Sequence, residues 1–107
     1  MLDSEKVIES VVSSFRLALD EESNKSPMRY NEVTANMLRG AIAACESLRT
    51  VSPSEIEKTI DSNMEFVRHL IHTLSGVKDP DEFTIPLLHG YLDGFGSLRS
   101  ELNPKSH

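Results

Sequence analysis

The sequence predicts an all-α protein, an antiparallel four-helix bundle, and three observations support this prediction. Apolar residues recur at steps of three and four along four segments, which is the spacing of one face of a helix. Prolines, glycines and short polar stretches separate these segments. No stretch alternates apolar and polar residues as strands do. The helices are expected at about 4–22, 29–50, 53–75 and 86–102, with a short extra turn near 80–84.

The first predicted helix begins at Asp3 or Ser4, because either side chain can accept from the free N–H groups of the first turn. Leu17 falls outside the apolar face of this helix and is expected to be exposed. The residues of the apolar face are Val7, Ile8, Val11, Val12, Phe15, Ala18 and Leu19.

The second predicted helix has an unusually wide apolar face. Its core positions are extended on one side by Ile42, and Gly40 and Ala43 add small residues that let a neighbouring helix approach closely. A wide face with small residues indicates a helix that is contacted on two sides, by the bundle itself or by another subunit. The core positions are Val33, Met37, Ala41, Ala44 and Leu48.

The third segment, from Ser52 to Gly76, carries the clearest start and stop signals. Ser52 precedes Pro53 and stands three residues before Glu55, the spacing of a capping box. Gly76 can take the left-handed conformation that ends many helices. The apolar stripe between these signals consists of Ile56, Ile60, Met64, Val67, Ile71 and Leu74.

The fourth helix is expected to begin at Pro86, because a proline inside a helix removes a hydrogen bond and clashes with the preceding turn. Its apolar face is flanked by the small residues Gly90, Gly94 and Ser97. Each glycine costs about 1 kcal/mol relative to alanine within a helix, so a close contact should compensate. That contact is either with another helix of the bundle or with a partner.

Composition favours one cytoplasmic domain over 1–107, with a frayed tail at 103–107. The chain has 107 residues, enough for a core without disulfides or metal. Its single cysteine, Cys45, is expected to be buried on a helical face. The formal net charge of −6 disfavours nucleic acid and anionic membranes as partners. Neither a signal peptide nor an apolar run of membrane-spanning length is visible.

Three polar residues of the third segment form one candidate site. Glu65, His69 and His72 are spaced one helical turn apart, and imidazole and carboxylate groups on adjacent turns can share a metal ion. The alternative is a solvent-exposed face stabilised by a Glu–His pair one turn apart. Because metal sites in bundles are built inside from facing helices, we expect no metal or other cofactor.

The five residues His72-Thr73-Leu74-Ser75-Gly76 form a second candidate site. They resemble the phosphorylation motif of histidine phosphotransfer domains, roughly His-x-Leu-Lys-Gly. The resemblance implies an acidic helical bundle in which His72 accepts a phosphoryl group and Gly76 lets a receiver domain approach. Ser75 stands where that family usually has lysine, and Pro80 follows where the family's helix continues.

Binding of another protein is the function that the sequence favours. Classical catalytic motifs such as Gly-x-Ser-x-Gly and a phosphate-binding loop are missing, so we do not expect an enzyme. We expect an adaptor, inhibitor or regulatory subunit that acts through a helical surface. Homodimerisation through the wide apolar face of the second helix and the small residues of the fourth is a separate prediction. The expected interface consists of Leu17, Ile42, Gly90, Gly94 and Ser97.

Overall fold

The computed structural model describes residues 3–26, 31–78 and 82–103. Within these ranges the chain forms four α-helices and no strand, so the predicted all-α bundle is confirmed. None of these helices is long and apolar enough to cross a membrane. The helices are α1 (Ser4–Ser23), α2 (Glu32–Glu46), α3 (Ile56–Ser75) and α4 (Thr84–Leu102), and a 3₁₀ turn (Pro53–Glu55) leads into α3.

Side-chain caps fix the starts of α1 and α2. Asp3 Oδ1 accepts from the backbone N–H of Glu5 at 3.0 Å, which confirms the predicted cap of α1. Asn31 Oδ1 accepts from the backbone N–H of Thr34 at 3.0 Å, so α2 begins at Glu32. The prediction that the second helix begins near 29 falls partly on residues 27–30, which lie outside the described ranges.

The second helix ends four residues earlier than predicted. Beyond Glu46 the chain forms tighter turns, in which an N–H group donates to the carbonyl three residues before it. Leu48 N donates to Cys45 O at 3.1 Å, and Arg49 N donates to Glu46 O at 3.2 Å. Tightening of this kind satisfies carbonyls at a helix end that have no partner within the helix. The segment 47–50 therefore consists of turns and is not part of the α-helix.

Two expected end signals of α3 are wrong in detail. No capping box forms, because the Ser52 side chain caps no N–H group and the 3₁₀ turn is closed by a backbone bond from Glu55 N to Ser52 O at 2.9 Å. Gly76 follows the last residue of α3 as predicted, but its φ of −89° is not left-handed. Its N–H closes the end by bonding to Thr73 O at 3.2 Å, a conformation that any residue can adopt.

Helix α4 begins at Thr84, two residues before the predicted start at Pro86. Pro86 is the third residue of the helix, and an N–H group at that position has no acceptor within the helix. The N–H group that proline lacks is therefore not needed there. The first regular bond of the helix runs from Leu87 N to Phe83 O at 3.1 Å. The predicted extra turn near 80–84 falls partly on 79–81, outside the described residues, and the tail beyond Asn103 also lies outside them.

Successive helices run antiparallel, and the closest pair is α2 with α4, which run parallel. Met37 lies beside Gly90 and Ala41 beside Gly94, so residue numbers rise together along the two helices. Backbones can meet here only because side chains are absent: a Cβ on Gly94 would lie 2.5 Å from the Ala41 carbonyl oxygen. The glycines of α4 therefore hold the two helices at short range.

The hydrophobic core surrounds this central pair, with α1 on one side and α3 on the other. α1 packs against α2 and α4, whereas α3 packs mainly against α4 and has little close backbone contact with α2. The predicted stripe of α3 enters the core as expected. Its buried members are Ile56, Ile60, Met64 and Val67, and Ile71 and Leu74 are partly buried.

Candidate binding groove between helices α2 and α3

A groove opens on the surface where α2 and α3 stand apart. Helix α4 forms its floor with Tyr91 and Phe95, and the two other helices form its walls. Its volume is about 200 Å³. A cavity of about 150 Å³ accommodates benzene, so the groove has room for one large apolar side chain. The walls consist of Ala43, Ala44, Ser47, Asn63, Phe66 and Val67.

None of the eight residues that line this groove is charged, although charged residues make up 26% of the chain. The surface is mostly apolar, and the Asn63 amide and the Tyr91 hydroxyl supply polar groups that can orient an occupant. A charged group placed here would lose its hydration without gaining a partner. The groove is therefore suited to an uncharged, apolar group.

Phe66 is the most prominent residue of the groove wall. Its side chain is 62% exposed, although full burial of a large apolar side chain is worth about 1.5–3 kcal/mol. It stands at the middle of α3, on the edge that faces the groove. A large aromatic ring at the rim of an apolar groove resembles the anchors around which protein interfaces are built.

The charged side chains near the α1–α2 contact are engaged with one another. Arg49 bonds to Glu9 at 2.7 Å and to Glu46 at 2.6 Å, which joins α1 to the end of α2. These bonds raise the pKa of the Arg49 guanidinium, and the bond from Arg49 lowers the pKa of the Glu46 carboxyl. These carboxylates are therefore already paired with a guanidinium, and because the pairs are exposed their contribution to stability is small.

Glu22 joins the end of α1 to the start of α2. Its carboxylate is 4% exposed and accepts from Lys25 Nζ and from the backbone N–H of Asn31, both at 3.0 Å. The bond from Lys25 is the largest cause that lowers the pKa of Glu22, followed by the bond from Asn31. Both oxygens of this buried carboxylate thus have partners, so its role in the fold is structural.

Cys45 is buried, as predicted, where α2 meets α4. Its Sγ lies 3.7 Å from the Gly94 carbonyl oxygen. Burial raises the pKa of the thiol to about 12. Because the thiolate is the reactive form, this cysteine is a poor nucleophile.

None of the predicted interface residues lines the groove. Gly90 and Gly94 are buried against α2, so neither is exposed to a partner. Of the two contacts considered for these glycines, the structure shows packing against another helix of the bundle. Ile42 is partly buried against the core, and Ser97 is partly buried on α4. Leu17 is 62% exposed, as its position outside the apolar face predicted.

Glu65, His69 and His72 all lie exposed on α3. Among the described residues, no group of three or more histidine, cysteine or acidic side chains could hold a metal ion. Glu65 and His72 are seven residues apart, about 10 Å along the helix axis. Ligand atoms must come within about 2 Å of the metal, and three side chains spread over two turns of one helix do not converge to that extent.

His72 is exposed in the last turn of α3, and Gly76 stands just beyond the end of the helix. The resemblance to histidine phosphotransfer domains implies a glycine one turn further along a continuing helix, and here the helix ends at Ser75. The exposed imidazole of His72 agrees with the resemblance. The end of α3 at Ser75 disagrees with it, because the family's helix continues past the glycine. Phosphotransfer through His72 stays a prediction.

The residue that sequence reasoning missed is Phe66. On a helical wheel it lies about 80° from Ile56, at the margin of the apolar stripe of α3, because each residue turns the helix by about 100°. A large aromatic residue at such a margin is the signal that could have identified it. Its exposure depends on the gap between α2 and α3, which periodicity within one helix does not reveal.

No protein-family model, no curated protein and no solved structure matches this chain.

Proposed function

We propose that this protein is a cytoplasmic protein-binding module, an adaptor, inhibitor or regulatory subunit, and that it binds through the groove between α2 and α3. The observation that supports this proposal is the exposed ring of Phe66 beside an uncharged groove of about 200 Å³. The preferred ligand is an apolar side chain presented by another protein, since no group in the groove could neutralise a charge.

The energetic argument concerns the solvent-exposed aromatic surface. Buried aromatic residues contribute 150–250 Å² each and dominate many interfaces. At about 25 cal/mol per Å², covering half of such a surface contributes roughly 2–3 kcal/mol to binding. Phe66 gains this contribution only when a partner covers it, because the fold leaves it mostly in water.

A catalytic role for the groove has less support. Of the eight lining residues, Tyr91 is the single one with a titratable side chain, and no histidine, cysteine or carboxylate joins it. General acid–base or nucleophilic catalysis needs such groups within hydrogen-bond distance of a substrate. Binding needs only the apolar surface and the shape.

Co-purification with matched variants tests this function. Phe66→Asp places a charge at the groove rim, and Leu17→Asp makes the same change on α1 at a residue with the same 62% exposure. We expect a stoichiometric partner to be captured from the native cells by the wild type and by Leu17→Asp, and to be lost with Phe66→Asp. Equal capture by all three proteins would contradict a role for the groove.

A further inference from the structure

We propose that the C-terminal part of α3, from Leu70 to Ser75, detaches from α4 as a unit while the rest of the bundle stays folded. This local opening is a property of the fold and does not depend on the groove being a binding site. It divides α3 into a first part that holds the bundle together and a last part that moves away from it. The opposite end of the bundle, where α1 and α3 begin and α2 and α4 end, stays closed.

The hydrophobic core is buried unevenly along the length of the bundle. Its largest fully buried side chains all lie in the half where α1 and α3 begin and where α2 and α4 end. Among the described residues, the other half has no side chain of comparable size that is buried to this extent. That half therefore gains less stability from hydrophobic burial. The fully buried side chains are Ile8, Val12, Cys45, Leu48, Ile56, Ile60 and Leu98.

The same decrease in burial occurs along α3 itself. Ile56 and Ile60 at its start are 2% and 0% exposed, whereas Leu70, Ile71 and Leu74 near its end are only partly buried. Hydrophobic stabilisation is roughly proportional to the apolar area removed from water, so a turn near the end of α3 is held less firmly than a turn near its start. The end of α3 therefore separates at a lower free energy than its start.

Polar contacts fasten the neighbouring helices but not this segment. At the same end of the bundle, the Glu22 carboxylate joins α1 to α2 by accepting from the backbone N–H of Asn31 at 3.0 Å. An ion pair between Asp61 and Arg99 at 3.1 Å joins α3 to α4, and it lies in the first part of α3. Among the described residues, the side chains from Leu70 to Ser75 form no ion pair, and their one hydrogen bond stays within α3. Separation of the segment from α4 therefore breaks no polar contact between helices.

The start of α4 stays in place when the segment moves, because α2 holds it. Gly40 meets the Leu87 carbonyl and Gly90 meets the backbone of Met37, and a Cβ on either glycine would overlap those atoms. Because α3 and α4 run antiparallel, the end of α3 covers this part of α4. The opening therefore lengthens the groove beyond Tyr91 toward the start of α4.

Hydrogen exchange of the backbone amides, followed by NMR under conditions where closing is faster than exchange, tests the opening. We expect the amides from Leu70 to Ser75 to exchange at least about tenfold faster than those from Asp61 to Val67, after correction for intrinsic rates, and to share a similar protection. The amides from Leu98 to Leu102 are the matched control, because they also end a helix but lie at the closed end of the bundle. Equal protection at the two helix ends, or protection that rises steadily from Ser75 inward, would show ordinary fraying and overturn the proposal.

The variant Ile60→Val separates local opening from global unfolding. Ile60 stays packed in the open state, so its truncation destabilises the closed and the open states equally relative to the unfolded state. We expect exchange from Asp61 to Val67 to become about 2- to 10-fold faster, the effect of removing one buried methylene. Exchange from Leu70 to Ser75 should stay unchanged. An equal acceleration in both segments would show that the end of α3 exchanges only by global unfolding, and would overturn the proposal.

Discussion

The contact between α2 and α4 predicts that alanine has opposite effects on stability at two glycines of α4, Gly94 and Gly96. A Cβ on Gly94 would lie 2.5 Å from the Ala41 carbonyl oxygen and 2.9 Å from the Ala41 Cα. Both distances are below 3.0 Å, which Cβ atoms essentially never show, so Gly94→Ala requires the backbones of the two helices to shift. Gly96 has no atom within 4 Å of its Cβ position, so Gly96→Ala requires no movement.

The magnitudes follow from two opposing effects. Alanine is favoured over glycine within a helix by about 1 kcal/mol, and overpacking a closely packed contact costs about 1–3 kcal/mol. Since the obstacle at Gly94 is backbone and cannot rotate away, we expect Gly94→Ala to destabilise the protein by up to about 2 kcal/mol net. We expect Gly96→Ala to stabilise by up to about 1 kcal/mol.

Urea unfolding followed by circular dichroism measures both free energies of unfolding, and thermal unfolding gives a second readout. A change of about 1 kcal/mol shifts the midpoint of a domain of this size by roughly 4–8 °C. The two variants should therefore move in opposite directions from the wild type. If Gly94→Ala were as stable as Gly96→Ala, the close approach of α2 and α4 would be refuted.

Three further predictions concern the charged and buried groups. Bonds from Lys25 and Asn31 hold the pKa of Glu22 below its usual 4.5, so the stability that this carboxylate contributes is present above that pH and is lost as pH falls through the lowered pKa. The melting temperature should therefore fall more steeply with acid for the wild type than for Glu22→Gln. Equal slopes would contradict this prediction. Arg49→Gln should lower the melting temperature slightly at low salt and hardly at all at about 1 M salt, because exposed ion pairs are screened; a salt-independent loss would show that packing matters instead. The thiol of Cys45, with its pKa raised to about 12, should react with iodoacetamide only on unfolding, and rapid labelling of the native protein would disprove its burial.

Much of the fold could be predicted from the sequence, because helix periodicity is a local property. The apolar stripe of α3 and the cap at Asp3 were recognisable from their spacing, and the structure confirms both. The prediction failed at Pro86 because a proline in the first turn of a helix and a proline that breaks a helix look alike until the start of the helix is known.

The groove could not be predicted, because it arises from how helices are arranged rather than from any one helix. Gly90 and Gly94 signalled a close approach, but the sequence did not say whether the neighbour was α2 or a partner. Once α4 packs against α2, α3 is held away from α2 and the groove opens between them. Phe66 becomes exposed for the same reason, which is why its importance is visible only in the folded chain.

Site-specific photocrosslinking in the native cells tests the central claim most directly. A photoreactive phenylalanine analogue at position 66 keeps the aromatic ring at the groove, and the same analogue at Leu17 is the matched control with equal exposure. The binding proposal predicts one specific adduct from position 66. No adduct from position 66, or the same adducts from both positions, would contradict the proposal that the groove between α2 and α3 is the binding surface.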